Sequence, residues 1–156
     1  MKQYNKYLMI IFTFNLLFGV DKAGTTAAKF LSIGVGSKAV GMGGSYTSIA
    51  DDATAMYWNP AGLSFHQTKE VYFNHSNWIA DISFDYSGIT IPIDNKSSLG
   101  FNITSVTMDE MEVTRYGNEN TGETFSAADF AFGSTYSMSL TDRFSVGING
   151  KYIQQS

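Results

Sequence analysis

Two runs near the end of the chain alternate strictly between large apolar and small polar residues. In residues 129–140, five of the six positions on one face are aromatic or aliphatic, while the other face carries Asp, Ala, Gly, Thr and Ser. Residues 141–143 form a short polar turn, and residues 144–152 resume the same alternation. Because successive side chains of a β-strand point to opposite faces, these runs predict an antiparallel hairpin with two chemically different faces.

A less regular form of this pattern predicts three earlier strands. The first covers residues 71–77, the second residues 82–93, and the third begins at Leu99. In the second strand the apolar residues occupy even positions before Gly88 and odd positions after it, which predicts a β-bulge near the glycine. With the hairpin, the chain contains five predicted strands.

The connections between these strands alternate in length. Residues 94–97 and 141–143 are short turns, whereas residues 108–127 form a polar excursion of twenty residues. Outer-membrane barrels have short periplasmic turns on one rim and longer extracellular loops on the other. We therefore expect the long connection to face outward, together with a chain reversal at residues 78–80. The candidates for aromatic girdles at the membrane interfaces are Trp78, Tyr86, Tyr136 and Tyr152.

Composition bears on which face of the strands meets lipid. Charged residues make up 15% of the chain and aromatic residues another 15%, whereas ordinary soluble domains carry about 25% charged residues. The polar faces of the strands hold Ser, Gly, Thr and Asn rather than Lys and Glu, which suits a narrow barrel interior. The sequence therefore predicts an all-β fold, an antiparallel outer-membrane β-barrel. The alternative is a soluble exported β-sandwich with its apolar faces inward.

The amino terminus has the pattern of an export signal. Lys2 and Lys6 precede residues 8–20, which are apolar except for Thr13 and Asn15. This stretch is shorter than the roughly 20 apolar residues of a membrane-spanning helix. We expect residues 1–23 to be a cleaved signal peptide and the mature protein to reside in the outer membrane. The chain contains no cysteine, which excludes a lipid-anchored precursor and any disulfide.

A glycine-rich segment at residues 24–66 separates the signal from the strands, and we expect it to form a compact plug, or hatch. Its motif residues are Gly41, Gly43, Gly44, Asp51, Asp52, Asn59, Pro60, Ala61 and Gly62. The first three glycines are expected to let the backbone approach the barrel wall closely. Asp51 is predicted to cap a helical turn at residues 52–56, Pro60 to hold Asn59 extended, and Gly62 to take a positive φ. The competing interpretation is a solvated loop followed by an ordinary turn.

Several sequence patterns resemble binding or metal-site motifs but lack the features that such sites require. Residues 34–39 match a loose dinucleotide fingerprint, but the glycines that follow would break the required helix and no βαβ unit is present. His66 and His75 lack metal-ligand spacing, and the acidic residues at 109–112 resemble solvated loop charge. The net charge of −4 argues against nucleic acid. We predict no enzyme, catalytic residue, cofactor or metal.

Five motifs in order resemble the amino-terminal half of the PorV/PorQ family, which is related to the FadL fatty acid transporters. They are GSKAVGMGGSYTSIADDATAMYWNPAGL, NHSNWIADISFDY, MDEMEV, TGETFSAADFAFG and LTDRFSVGINGKYI, and the resemblance spans residues 25–153. It implies a barrel of about fourteen strands, within the range of bacterial outer-membrane barrels, with an amino-terminal hatch in the lumen. Five strands cannot close such a barrel, so we expect residues 67–156 to be its first strands and the chain to be an amino-terminal fragment.

The resemblance leaves two functions open. PorV and PorQ imply a role in type IX secretion, with secreted proteins or other secretion components as partners. FadL implies uptake of hydrophobic small molecules, such as long-chain fatty acids, through a hatch-gated lumen. Outer-membrane lipid surrounds the protein in both cases.

Overall fold

A computed structural model describes residues 27–79, 81–117 and 121–155 as a sheet with one face covered by the preceding segment. The predicted signal peptide lies outside the described residues. The strands are β1 (Glu70–Asn77), β2 (Ile82–Pro92), β3 (Ser97–Met108), β4 (Met111–Glu112), β5 (Thr124–Phe125), β6 (Ala128–Thr141) and β7 (Phe144–Gln155). A five-stranded antiparallel sheet has the order β1-β2-β3-β6-β7, and β4 and β5 pair separately. The five predicted strands and the all-β class are confirmed.

Residues 27–66, called here the amino-terminal segment, contain four short helical elements. These are a 3₁₀ turn (Lys29–Ser32), α1 (Ser37–Gly41), α2 (Ala55–Trp58) and a 3₁₀ helix (Pro60–Phe65). Within the part of the chain that the structure describes, no helix combines the length and apolar character needed to cross a membrane.

The two faces of the sheet differ as the alternation predicts. On β6, even-numbered residues point outward and are mostly exposed, whereas Ala131, Gly133, Thr135 and Ser137 are buried on the inner face. From Leu140 to Phe130 the outer face extends over ten residue steps, or about 33 Å at about 3.3 Å per step. Tilted by the ~40° usual for a transmembrane barrel strand, that length spans about 25 Å, the height of a lipid-facing band.

The bulge predicted at Gly88 is wrong. Gly88 pairs with Tyr72 on β1 and Asn102 on β3, and both ladders run through it without a register shift. The shift recorded between β6 and β7 lies instead between Ser139 and Thr141. The apolar residues of β2 change phase because the strand divides them between two faces: Phe84 and Tyr86 are buried on the inner face, whereas Ile89 and Ile91 lie on the outer face.

Tyr86 also departs from its predicted place in an aromatic girdle. Its side chain is on the inner face, 2% exposed, and it packs with Val35 and Phe84. Trp78, Tyr136 and Tyr152 are exposed, as a girdle position requires. Alternation located the strand, but it did not show that its large residues were divided between the two faces.

Candidate functional site

The candidate site is the contact between the amino-terminal segment and the inner face of the sheet. Residues of the segment form one buried cluster, composed of Ala39, Tyr46, Ala50, Ala53, Ala55, Met56 and Leu63. A second cluster crosses the contact, because Val35 of the segment is buried against Phe84 and Tyr86 of β2. The segment is therefore built around its own small core and fastened to the sheet through a second one.

Met56 of α2 inserts into a hole in the sheet that glycines create. A Cβ atom added at Gly88 would lie 2.6 Å from Met56 Cε, and one added at Gly100 would lie 2.4 Å from Met56 Sδ. Asn102 Nδ2 lies 3.8 Å from the same sulfur, and Gly133 leaves room for the Asn102 side chain. Since Met56 is 1% exposed, these three glycines together make space for a buried anchor.

The Asn59–Gly62 turn rests on another glycine, Gly147 of β7. A Cβ at Gly147 would lie 2.4 Å from both the backbone nitrogen of Ala61 and the carbonyl carbon of Pro60. Asn59 is extended, at φ −156° and ψ 93°, as its position before Pro60 predicts. Its side chain holds the turn by donating to the Thr47 carbonyl at 2.9 Å and accepting from the Ala61 amide at 3.3 Å.

Polar contacts extend along the same surface. Asn149 Nδ2 of β7 donates to the Met56 carbonyl at 3.3 Å and also to the Thr135 hydroxyl. The Ser139 hydroxyl lies 2.9 Å from that of Ser64. Higher on β7, the Lys151 ammonium lies 5.5 Å from the ring centroid of Tyr57, a cation–π geometry. The small polar residues of the inner face thus bind the segment directly.

Asp51 and Asp52 have roles that differ from the predicted ones. Asp51 does not cap the helix: α2 begins at Ala55, and the carboxylate that accepts the Thr54 amide, at 2.8 Å, belongs to Asp52. Asp52 also accepts the Thr54 hydroxyl and the Tyr46 hydroxyl, the latter at 2.9 Å. Asp51 lies outward, 3.2 Å from Lys38 Nζ.

Three pKa values in this network depart from their ordinary ranges, and that of the Lys38 ammonium is raised by its hydrogen bonds with Tyr46 and Asp51. The hydrogen bond from the Lys38 ammonium is the main cause that lowers the pKa of the Asp51 carboxyl. Burial raises the pKa of the Tyr46 hydroxyl, and its hydrogen bond to the Asp52 carboxylate adds to that effect. Tyr46 therefore remains a neutral donor that ties the acidic pair to the segment core.

The motif glycines serve purposes other than those predicted. Gly43 and Gly44 have φ values of 64° and 78° and make the turn after α1 possible, while a Cβ at Gly41 or Gly43 would meet nothing within 4 Å. None of the three touches the sheet closely, so that prediction is wrong. Gly62 does not have a positive φ; instead its missing Cβ makes room for the Ala50 carbonyl oxygen, which would lie 2.0 Å away.

The glycines that do provide close approach are in the strands, where sequence reasoning overlooked them. Gly88, Gly100, Gly133 and Gly147 all occupy inner-face positions, whereas Gly150 of β7 faces outward with nothing within 4 Å. The available signal was phase for Gly100, Gly133 and Gly147, which lie on the small-residue faces of their strands. Gly88 shares its face with Phe84 and Tyr86, so its phase carried no such signal.

Both histidines take part in hydrogen bonds. His66 Nδ1 lies 2.9 Å from the Asp51 carbonyl oxygen, and its Nε2 lies 3.0 Å from a carboxylate oxygen of Glu70. His75 Nδ1 lies 2.7 Å from Asp85 Oδ1 on the outer face. Residues 27–79, 81–117 and 121–155 contain no group of three or more His, Cys, Asp or Glu side chains arranged to hold a metal ion.

Comparison with known families identifies the family of this chain. The family model described as type IX secretion system protein PorV matches residues 20–156. The chain belongs to the PorV family. No curated protein and no solved structure matches it. PorV membership confirms the resemblance drawn from the motifs and associates the chain with type IX secretion and the outer membrane, while no match supports the FadL alternative.

Proposed function

We propose that this protein is an outer-membrane barrel component of type IX secretion that handles exported proteins through its long β3–β6 connection, with the amino-terminal segment as a fixed hatch. The observation on which this proposal depends is a pair of close contacts. Met56 packs into the space left by Gly88 and Gly100, and the Asn59–Gly62 turn packs on Gly147. These contacts hold the segment directly on the inner face of the sheet, which supports a hatch packed on the inside of a barrel. A lumen filled in this way favours contact with partners at the rim over diffusion through the middle.

The long connection has structure suited to recognition. It contains the β4–β5 hairpin, braced by Arg115 and Glu123 with 2.7 Å between guanidinium nitrogen and carboxylate oxygen. Tyr116 is fully exposed and Phe125 is about half exposed. Exposed aromatic side chains on a braced hairpin are typical of protein-binding surfaces, where Tyr and Phe are enriched. This connection lies at the opposite end of the sheet from the β2–β3 and β6–β7 turns.

The test replaces residues 111–125 with a short Gly-Ser linker in the complete gene, in its own cells. We expect secreted proteins to lose their surface attachment while the variant still reaches the outer membrane in normal amount. The matched control is a Gly-Ser replacement of residues 95–96 in the opposite turn, which should leave attachment unchanged. Normal attachment with the 111–125 replacement would refute the role of this connection.

A second measurement separates secretion from uptake. In a strain lacking the whole gene, we expect surface attachment to fail while uptake of long-chain fatty acids continues at the parental rate. Normal attachment combined with lost uptake would overturn the secretion proposal in favour of a FadL-like channel.

A further inference from the structure

The β4–β5 hairpin has an apolar face that is open to its surroundings. Met111 and Phe125 are cross-strand partners, so their side chains project from the same side of the hairpin, and both are exposed. The Val113 amide donates to the Glu123 carbonyl at 2.8 Å and extends the pairing by one residue. Tyr116, between the two strands, is fully exposed. Exposed apolar side chains that share one face of a small sheet indicate a contact surface for another molecule.

Negative charge is concentrated at the rim of the sheet that carries this hairpin. The described residues beyond the strand ends there, 78–79, 81, 109–117 and 121–127, include five acidic residues and one basic residue: Asp81, Asp109, Glu110, Glu112, Glu123 and Arg115. At the opposite rim, residues 66–69, 93–96 and 142–143 include two acidic residues and three Lys or Arg residues. The negative charge is therefore a local property of the rim with the long connection.

Most of these carboxylates are available to a cation outside the chain. Arg115 lies 2.7 Å from Glu123 and neutralises that side chain. Asp109, Glu110 and Glu112 are exposed and form no ion pair with a described residue. They do not converge on one point either, since the described ranges contain no group of three or more acidic or His side chains arranged to hold a metal ion. Such spread charges suit several separate contacts with a larger partner.

We propose that the apolar face of this hairpin binds a protein surface that presents Lys and Arg side chains around an apolar centre. Protein interfaces commonly have an apolar centre and a polar rim. Complementary charge accelerates association and rejects partners of the wrong sign. Phosphate-bearing ligands, such as lipid head groups and nucleic acid, have the charge that this rim repels. The inference rests on the proposed function, which brings exported proteins to this connection, and it adds the chemistry by which they are selected.

The experiment uses the protein expressed from its complete gene, in phosphatidylcholine nanodiscs, and three fluorescent peptides of equal length. The first peptide alternates Val or Tyr with Lys, the second has Glu in place of every Lys, and the third has Ser in place of every Val and Tyr. Binding is measured by fluorescence anisotropy, with empty nanodiscs as the blank. We expect the first peptide to bind at least about tenfold more tightly than either of the others. Its affinity should fall as salt rises from about 0.1 M to about 1 M, because the Debye length shortens from about 10 Å to about 3 Å.

Substitutions locate the binding on the hairpin. Glu110→Gln combined with Glu112→Gln removes two exposed negative charges and should weaken binding of the first peptide about fivefold, because exposed ion pairs are individually weak. The matched control is Asp142→Lys, which changes the net charge by the same amount at the opposite rim and should leave the affinity within about twofold. Phe125→Ser removes half of the apolar pair and should also weaken binding about fivefold. All these positions are exposed, and equal yields of the variants in nanodiscs check that each one folds.

Each outcome decides the proposal. Equal affinities for the Lys and Glu peptides, or unchanged affinity in either hairpin variant, overturn it. Displacement of the Lys peptide by Ca²⁺ at constant ionic strength assigns the carboxylates to a cation and overturns it as well. Loss of surface attachment on replacing residues 111–125, without a preference for the Lys peptide, keeps the secretion role and rejects this partner chemistry. Normal attachment with a hairpin that still selects the Lys peptide rejects the secretion role of the connection and supports the binding property.

Discussion

Gly147→Ala tests whether the backbone of the Asn59–Gly62 turn packs directly on the backbone of β7. The added methyl would lie 2.4 Å from Ala61 N and from Pro60 C, about 1 Å closer than ordinary contact. The turn cannot easily retreat, because Gly62 is already packed under the Ala50 carbonyl. Overpacking a well-packed contact costs about 1–3 kcal/mol, and a clash with a rigid peptide group rather than a flexible side chain places this variant near the upper end.

The assay is urea unfolding of the protein in lipid vesicles, with the free energy of unfolding compared between variants. Gly150→Ala is the matched control, because it makes the same change on the same strand where a Cβ meets nothing within 4 Å. We expect a loss of about 2–3 kcal/mol for Gly147→Ala and at most ~0.5 kcal/mol for the control. Equal losses in the two variants would refute the seating of the turn.

Two further changes probe the anchor and the opposite rim. Met56→Ala empties the glycine-lined hole and should lower the free energy of unfolding by about 2–5 kcal/mol. The control Met42→Ala, at an exposed position, should lower it by at most ~0.5 kcal/mol. Similar losses in the two variants would contradict the role of Met56 as an anchor. In the β2–β3 turn, hydrogen bonds from the Lys96 amide and then from Ser97 lower the pKa of Asp94. The stabilisation is therefore present above the ordinary aspartate pKa of about 3.9 and is lost as the pH falls through the lower pKa of the folded state. Asp94→Ala should destabilise the protein at pH 7 and should match the unmodified protein near pH 2. A stability difference that does not depend on pH would exclude this cause.

The strands were predictable from the sequence because their information is local. In β6 the alternation placed large apolar residues at five of the six positions of one face, and the short turn that follows fixed the antiparallel pairing with β7. The same reasoning failed in β2, where Phe84 and Tyr86 face inward. Periodicity shows that two faces differ, but it does not show what covers each face.

The details of the amino-terminal segment were less predictable because they depend on distant partners. Asn59 before Pro60 is a local constraint, and its extended conformation followed from the sequence. The choice between Asp51 and Asp52 depends on where Tyr46, Thr54 and Lys38 meet after folding. Two adjacent carboxylates are equivalent in a sequence and become different only when one turns toward the core.

The sequence by itself determined the all-β class, the strand positions, the small-residue face and, through its motifs, the PorV family. These follow from side-chain period and turn chemistry, which act over a few residues. Only the tertiary structure decided that Gly88, Gly100 and Gly147 accommodate the segment, while Gly43 and Gly44 of the segment shape a turn. A glycine is informative through the atom that occupies the space of its missing Cβ. Here those atoms belong to Met56, Pro60 and Ala61, which are 32 to 87 positions away in the chain and reach the glycines only because folding brings the segment onto the sheet.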